Sequence, residues 1–219
     1  MTRALFSKTG QAVYISHLDL MRVFQRAFQR AGLPLTHGQG FNQRPFVSIA
    51  LPMSLGMESR CELLSFQLEG DPVPPEEICR RLNEKLIQGV RVERVYEGGR
   101  KLKELTHLGC RLTLEYDRGI PAGAEEAVTA LLEQDSLTVT KKGKSGQQEL
   151  DIRPLYRVTG VRRETDRELS IQAVVCCQNP SLNPMLLIQA ISRYAPHLAP
   201  DFVRCRRETL YGKDGTVFE

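Results

Sequence analysis

The feature that most constrains the fold of this 219-residue chain is an order of hydrophobic periodicities that occurs twice. In the first half, strand-like Ala4–Phe6 and Ala12–Ile15 lead into helical spacing over 17–31, followed by strand-like runs near 47–51 and 61–68. Pro74-Pro75 then opens a helix with Ile78, Leu82 and Leu86 four residues apart, and a strand at 90–96 closes the set. After the break Gly98-Gly99-Arg100-Lys101 the order recurs. Cys110, Leu112, Leu114 and Tyr116 alternate as a strand, and 123–133 has helical spacing. Strands at 137–141 and 149–153 flank the loop Gly143-Lys144-Ser145-Gly146, with an extra strand or loop around 155–161. Leu169, Ile171, Ala173 and Val175 alternate again, Pro184 opens a helix, and an arginine-rich strand at 203–211 ends the set. Each half fits the split βαβ, ferredoxin-like plan, in which two helices cover one sheet face and leave the other free. The expectation is an α+β chain of two tandem ferredoxin-like domains, 1–100 and 101–219, with a shared cleft.

The helix at 17–31 has a strong start signal: Ser16 stands at the N-cap position with Asp19 three residues on. Leu20, Phe24, Ala27, Phe28 and Ala31 form its apolar face, and Gly32 stops it. At about 100° per residue, Arg22, Arg26, Gln29 and Arg30 gather on the opposite face with Asp19. Such a cationic stripe can hold phosphates, and a solvated face with an Asp19–Arg22 surface pair produces the same pattern. His17 sits at the strand–helix junction, where an imidazole serves either as a general base or as a packed group bonded to a backbone carbonyl.

The loop that follows, Thr36-His37-Gly38-Gln39-Gly40-Phe41-Asn42-Gln43-Arg44-Pro45, is dense in polar donors. Glycines permit close backbone approach, so amides beside Gln39, Asn42 and Arg44 can grip a phosphate or the edge of an unstacked base, with Phe41 stacking on it. The structural alternative is a buried loop whose amides satisfy backbone groups and whose Phe41 is core.

These segments resemble a bacterial family of radical-SAM-linked proteins, a domain of unknown function found beside or fused to radical SAM enzymes. The resemblance covers most of the chain and is carried by Tyr14-Ile15-Ser16-His17-Leu18-Asp19-Leu20-Met21-Arg22, Gln39-Gly40-Phe41-Asn42, Leu55-Gly56-Met57-Glu58-Ser59 and Asp151-Ile152-Arg153-Pro154. The family commonly reads Asn-Pro-His-Pro where this chain has Asn42-Gln43-Arg44-Pro45, so no role of that histidine carries over. The resemblance implies a radical SAM enzyme as partner, with S-adenosylmethionine and an iron–sulfur cluster in the partner and no cofactor in this chain.

Composition narrows the classes further. No apolar run approaches the roughly 18 residues a membrane span needs, and no signal peptide precedes the first strand, so a cytoplasmic protein is expected. Six cysteines, at 61, 79, 110, 176, 177 and 205, include no C-x-x-C pair and no three-cysteine cluster, which excludes a radical SAM enzyme in this chain itself. They read as mostly buried, reduced thiols, and no metal site is expected. The formal charge of +4 is too small to argue for nucleic acid by itself. Local density is higher: Arg153, Arg157, Arg162, Arg163 and Arg167 lie close together, and Arg204, Arg206 and Arg207 crowd one strand. Exposed positions on a sheet yield the same count without a ligand. Gly143-Lys144-Ser145 lacks the earlier glycine and the following helix of a phosphate-binding loop, and metalloprotease, hydrolase-elbow and dinucleotide motifs are absent.

The sequence therefore leaves two principal functions. The first is a non-catalytic module that recognises rRNA or tRNA for a partner radical SAM enzyme, through Arg22, Arg26, Arg30, Gln39, Phe41, Asn42, Arg44, Arg153, Arg204 and Arg206. The second is an RNA-modifying or metal-free RNA-cleaving enzyme, similar in architecture to tRNA pseudouridine synthases or CRISPR repeat endoribonucleases. In a metal-free cleavage His17 or His37 would be the base, Tyr14 a positioning or acid group and Arg22 or Arg44 the phosphate stabiliser, whereas in an isomerase-type reaction Asp19 or Asp151 would supply the carboxylate. In Asp151-Ile152-Arg153-Pro154, acid and guanidinium share one side of a strand, where they bind a substrate or form a structural corner. A small-molecule or protein adaptor is a third possibility.

Overall fold

A computed structural model describes residues 1–39, 43–143 and 146–218. The protein is a mixed α+β chain with antiparallel strand pairing inside each of two compact units, Met1–Leu102 and Lys103–Phe218, and four α-helices among the described residues. None of those helices is long and apolar enough to cross a membrane.

The first unit runs β1 (Thr2–Lys8), a 3-10 turn (Gly10–Tyr14), α1 (His17–Arg30), β2 (Val47–Ile49), β3 (Glu58–Phe66), α2 (Pro75–Asn83) and β4 (Val90–Glu97). Its strands lie in the order β4-β1-β3-β2. Alternation along β1 puts Ala4 and Phe6 on one face, level with Leu64 of β3 and with Val95 and Val92 of β4. The apolar stripes of α1 (Leu20, Phe24, Ala27, Phe28) and α2 (Ile78, Leu82) close over that face in one core. Phe6 meets Phe24 edge-on at 4.8 Å, and Phe28 meets Phe66 at the same centroid distance. The amide of Asn83 exchanges two 2.8 Å hydrogen bonds with the backbone of Val92, stitching the end of α2 to β4. The opposite face of β3 is not open: Ser59, Cys61, Leu63 and Ser65 are all buried.

The second unit runs β5 (Leu105–Glu115), α3 (Ala124–Leu132), β6 (Thr138–Gly143), β7 (Gly146–Asp151), β8 (Tyr156–Arg163), β9 (Glu168–Cys176), α4 (Met185–Tyr194) and β10 (Phe202–Gly212). The sheet order is β10-β5-β9-β8. Leu108, Cys110, Leu112 and Leu114 of β5, with Leu169, Ile171, Ala173 and Val175 of β9, form its buried face beneath Val128, Leu132, Leu187 and Ile191 of the helices.

Two assignments differ from the periodicity reading: Ala12–Ile15, expected as strand-like, falls largely in the 3-10 turn Gly10–Tyr14, which buries Ala12 and Val13, and the strands of the second half pair differently. The strands flanking the glycine loop, β6 and β7, pair only with each other among the described residues, and the segment expected as an extra, β8, is the strand that joins the sheet. The reason is apolar content. Gly146–Asp151 carries Gln147, Gln148 and Glu149, all exposed, and has no face to bury, whereas β8 inserts Tyr156 and Val161 into the core. The hairpin is held to α4 instead, by the Gln189 side chain donating to the Thr140 carbonyl (3.0 Å), the Tyr194 hydroxyl donating to Thr138 (2.9 Å) and an Arg193–Glu149 pair (2.9 Å).

Candidate functional site

The start of α1 is built from one buried ammonium and one cap. Lys8, at the end of β1, is 2% exposed and its Nζ donates to the carbonyls of Val13 (3.2 Å) and Ile15 (3.0 Å), which fixes the chain as it turns into the helix. Ser16 Oγ accepts the Asp19 amide (3.1 Å) and donates to Asp19 Oδ2 (2.7 Å), while Arg22 Nη1 donates to Asp19 Oδ1 (2.8 Å). The Ser16 hydroxyl, and then the Arg22 guanidinium, hold the Asp19 carboxyl below its usual range. His17 is the first residue of α1 and is half-buried. The Gly56 amide donates to the Val13 carbonyl (3.0 Å), so the 55–59 turn lies beside exposed Tyr14.

Further along, the exposed stripe divides. Arg22 is drawn to Asp19, and Arg30 donates to the Lys85 carbonyl (3.0 Å), so both guanidinium groups are engaged. Arg26 has no hydrogen-bond or ion-pair partner among the described residues. Gly32, with φ +63°, ends the helix in the left-handed region, and the Leu33 amide returns to the Phe28 carbonyl (3.0 Å). The chain then folds back along the helix. Its two legs are laddered by the His37–Pro45 bridge, by Gly38 N–H to Arg44 O (3.0 Å) and by Phe46 N–H to Thr36 O (2.7 Å). The Thr36 amide also donates to the Gln67 carbonyl beyond β3 (2.9 Å).

This return leaves a groove of about 480 Å³ between α1 and the loop legs. Its polar lining is Gln25, Arg26, Gln29, His37 and Glu69, over a floor that includes Phe28 and Leu35. The structure thus joins Arg26 of the stripe to His37 of the loop. Gln39 and Arg44 are exposed beside the groove and do not line it, and Phe41 and Asn42 lie outside the described residues.

In the second unit, Asp151 and Arg153 form a corner. Asp151 Oδ1 accepts the amides of Leu137 (2.9 Å) and Arg153 (3.0 Å), and Oδ2 accepts from Ser136 Oγ (3.0 Å); the backbone donors pull this carboxyl below its usual range. Arg153 Nε donates to the Gln134 carbonyl (2.9 Å), and its guanidinium lies 5.5 Å from the Tyr156 ring centroid. Arg204 pairs with Glu115 and Glu168, both at 2.6 Å, and Arg206 with Glu208 at 2.7 Å. These arginines belong to an alternating charge lattice on the sheet. Among the described residues, no group of three or more histidine, cysteine or carboxylate side chains is arranged to hold a metal ion.

The chain matches, over residues 2–184, the model of a family described as an uncharacterized protein conserved in bacteria, DUF2344. The chain belongs to this family. The family match takes in the whole of the α1 groove and the Asp151 corner and ends one residue before α4, so Arg204 and Arg206 lie beyond it. Comparison with curated proteins gives no match.

The sequence reading passed over His107 and Tyr211, which line a second concavity. The signal was available: alternation that buries Leu108, Cys110 and Leu112 places His107 and Gly109 on the other face of β5.

Proposed function

We propose that this chain is an RNA-recognition module without chemistry of its own, which presents rRNA or tRNA to a partner radical SAM enzyme. The two units are read as tandem copies of the split βαβ, ferredoxin-like plan, the second interrupted by the β6–β7 hairpin. The observation that carries the reading is the α1 groove. Beside the Glu69 carboxylate it holds a guanidinium, two side-chain amides and an imidazole, none of these side chains with a hydrogen-bond partner among the described residues. An uncommitted arginine supplies a phosphate contact, and Gln25, Gln29 and His37 offer the donor and acceptor pattern that reads an unpaired base edge. A catalytic reading asks for an acid, a base and a stabiliser within about 3 Å of one reacting group. Of the carboxylates considered for that role, Asp19 is engaged by Ser16 and Arg22, and Asp151 caps backbone amides.

The test is a salt-titrated binding assay of the purified chain with total tRNA and rRNA fragments, followed by mass spectrometry of the RNA. Binding with unaltered RNA mass is expected. Arg26→Ala should weaken binding and lower the slope of log K against log salt by about 0.7–0.9, the release expected for one phosphate contact. Absence of binding at low salt, or RNA altered by the chain alone, would overturn the proposal.

A further inference from the structure

The second concavity, about 380 Å³, lies wholly in the second unit, on the sheet face turned away from the buried β5 and β9 residues. Its floor is a row of cross-strand neighbours. Tyr211 of β10 stands opposite His107 of β5, His107 opposite Cys176 of β9, and Arg157 of β8 opposite Val174. The turns at Pro154 and Gly215 complete the lining.

Three features define what this space can hold. Gly109 follows His107 on the same face of β5, and a Cβ there would sit 3.2 Å from Tyr211 Cε2. The missing side chain is what lets the tyrosine ring lean across the strand and form an aromatic wall. His107 Nδ1 is 2.9 Å from Thr106 Oγ1, which fixes the ring and leaves Nε2 for a ligand. Arg157 is exposed and has no partner among the described residues, unlike Arg111, Arg204 and Arg206 on the same sheet, which all face glutamates. No carboxylate lines the pocket among the described residues, so its charge is complementary to an anion. Burial pushes the Cys176 thiol up, which keeps it neutral and suits it to packing.

We propose that this pocket binds a single unpaired nucleotide, with the base stacked on Tyr211, its edge meeting His107 and its phosphate held by Arg157. The volume falls within the range of small-ligand sites, and stacking with a guanidinium at the phosphate is how unpaired nucleic acid is held without reading a duplex. That the nucleotide belongs to RNA rests on the function proposed above. The pocket chemistry is the same for a free nucleoside monophosphate, and the experiment separates the two.

Binding of the four nucleoside 5′-monophosphates and of a short single-stranded RNA to the full chain would be measured by calorimetry for wild type, Tyr211→Leu, Tyr211→Phe and Arg157→Gln. Tyr211→Leu should weaken monophosphate and RNA binding about tenfold, with Tyr211→Phe near wild type. Arg157→Gln, an exposed change that leaves the core intact, should weaken both and flatten the salt dependence. Monophosphate binding that depends on Tyr211 and Arg157, without RNA binding, supports the pocket and overturns the RNA reading. RNA binding indifferent to both variants leaves that reading standing and overturns the pocket. Failure of wild type to bind any monophosphate at millimolar concentration also overturns it.

Discussion

Ser16 and Asp19 satisfy each other at the start of α1, so the first turn depends on two small side chains. Ser16→Ala removes the acceptor for the Asp19 amide and should cost about 1 kcal/mol, read by urea denaturation and by faster amide exchange in the first turn. The Asp19 carboxyl titrates below the ordinary aspartate value of about 3.9, so its contribution is complete above that pH. It is lost as the pH falls through the depressed folded-state value. A carbon-detected carboxyl titration should show this midpoint, and Ser16→Ala should raise it more than Arg22→Ala does. The Asp19–Arg22 pair itself is well exposed and screened by solvent, so Arg22→Ala should leave the denaturation midpoint nearly unchanged.

Helix α1 carries Arg26 and Gln29 on one side and the core residues Phe24 and Phe28 on the other, so the groove residues and the core are mechanically linked in this element. Phe24→Ala should cost about 3–5 kcal/mol in a denaturation experiment, because the ring is fully buried against Phe6. Asp151→Ala should instead act locally: the amides of Leu137 and Arg153 lose their acceptor, amide exchange at these two positions speeds up, and the α1 groove is unchanged. This helix was fully legible in the sequence, since Ser16, the apolar spacing and Gly32 each mark a different part of it. The roles of β7 and β8 were harder to read, because both are short strands lying within a few residues of one another. Only the ability of Tyr156 and Val161 to fill a core, against the glutamines of β7, separates a sheet strand from an excursion. The candidate groove was half legible. Local periodicity places Arg26 on the exposed face, but its meeting with His37 depends on the fold-back after Gly32, a contact that no spacing rule encodes. Arg30 shows the same limit: the wheel groups it with Arg26, and a distant carbonyl at Lys85 removes it.

At the scale of the molecule, the excess of +4 charges is distributed unevenly in function as well as in number. Many arginines are neutralised where they stand, while Arg26 and Arg157, like Arg44 and Arg162, have no ion-pair partner among the described residues. All six cysteines are free thiols. Burial raises the thiol of Cys177 to about 11 and that of Cys205 to about 12, and pushes that of Cys110 higher still, so iodoacetamide at neutral pH should leave Cys110 and Cys205 unlabelled in the native protein. Complete labelling of all six is expected in denaturant, and mass spectrometry distinguishes the outcomes. The buried ammonium of Lys8 has a further use. Reductive methylation should convert exposed Lys85, Lys101 and Lys213 within the first minutes and spare Lys8, whose donors are held by the Val13 and Ile15 carbonyls. The slow arrival of methyl groups at Lys8 would then act as a clock for the opening of the β1–α1 junction, reporting how often the N-terminal end of α1 comes loose in the native state.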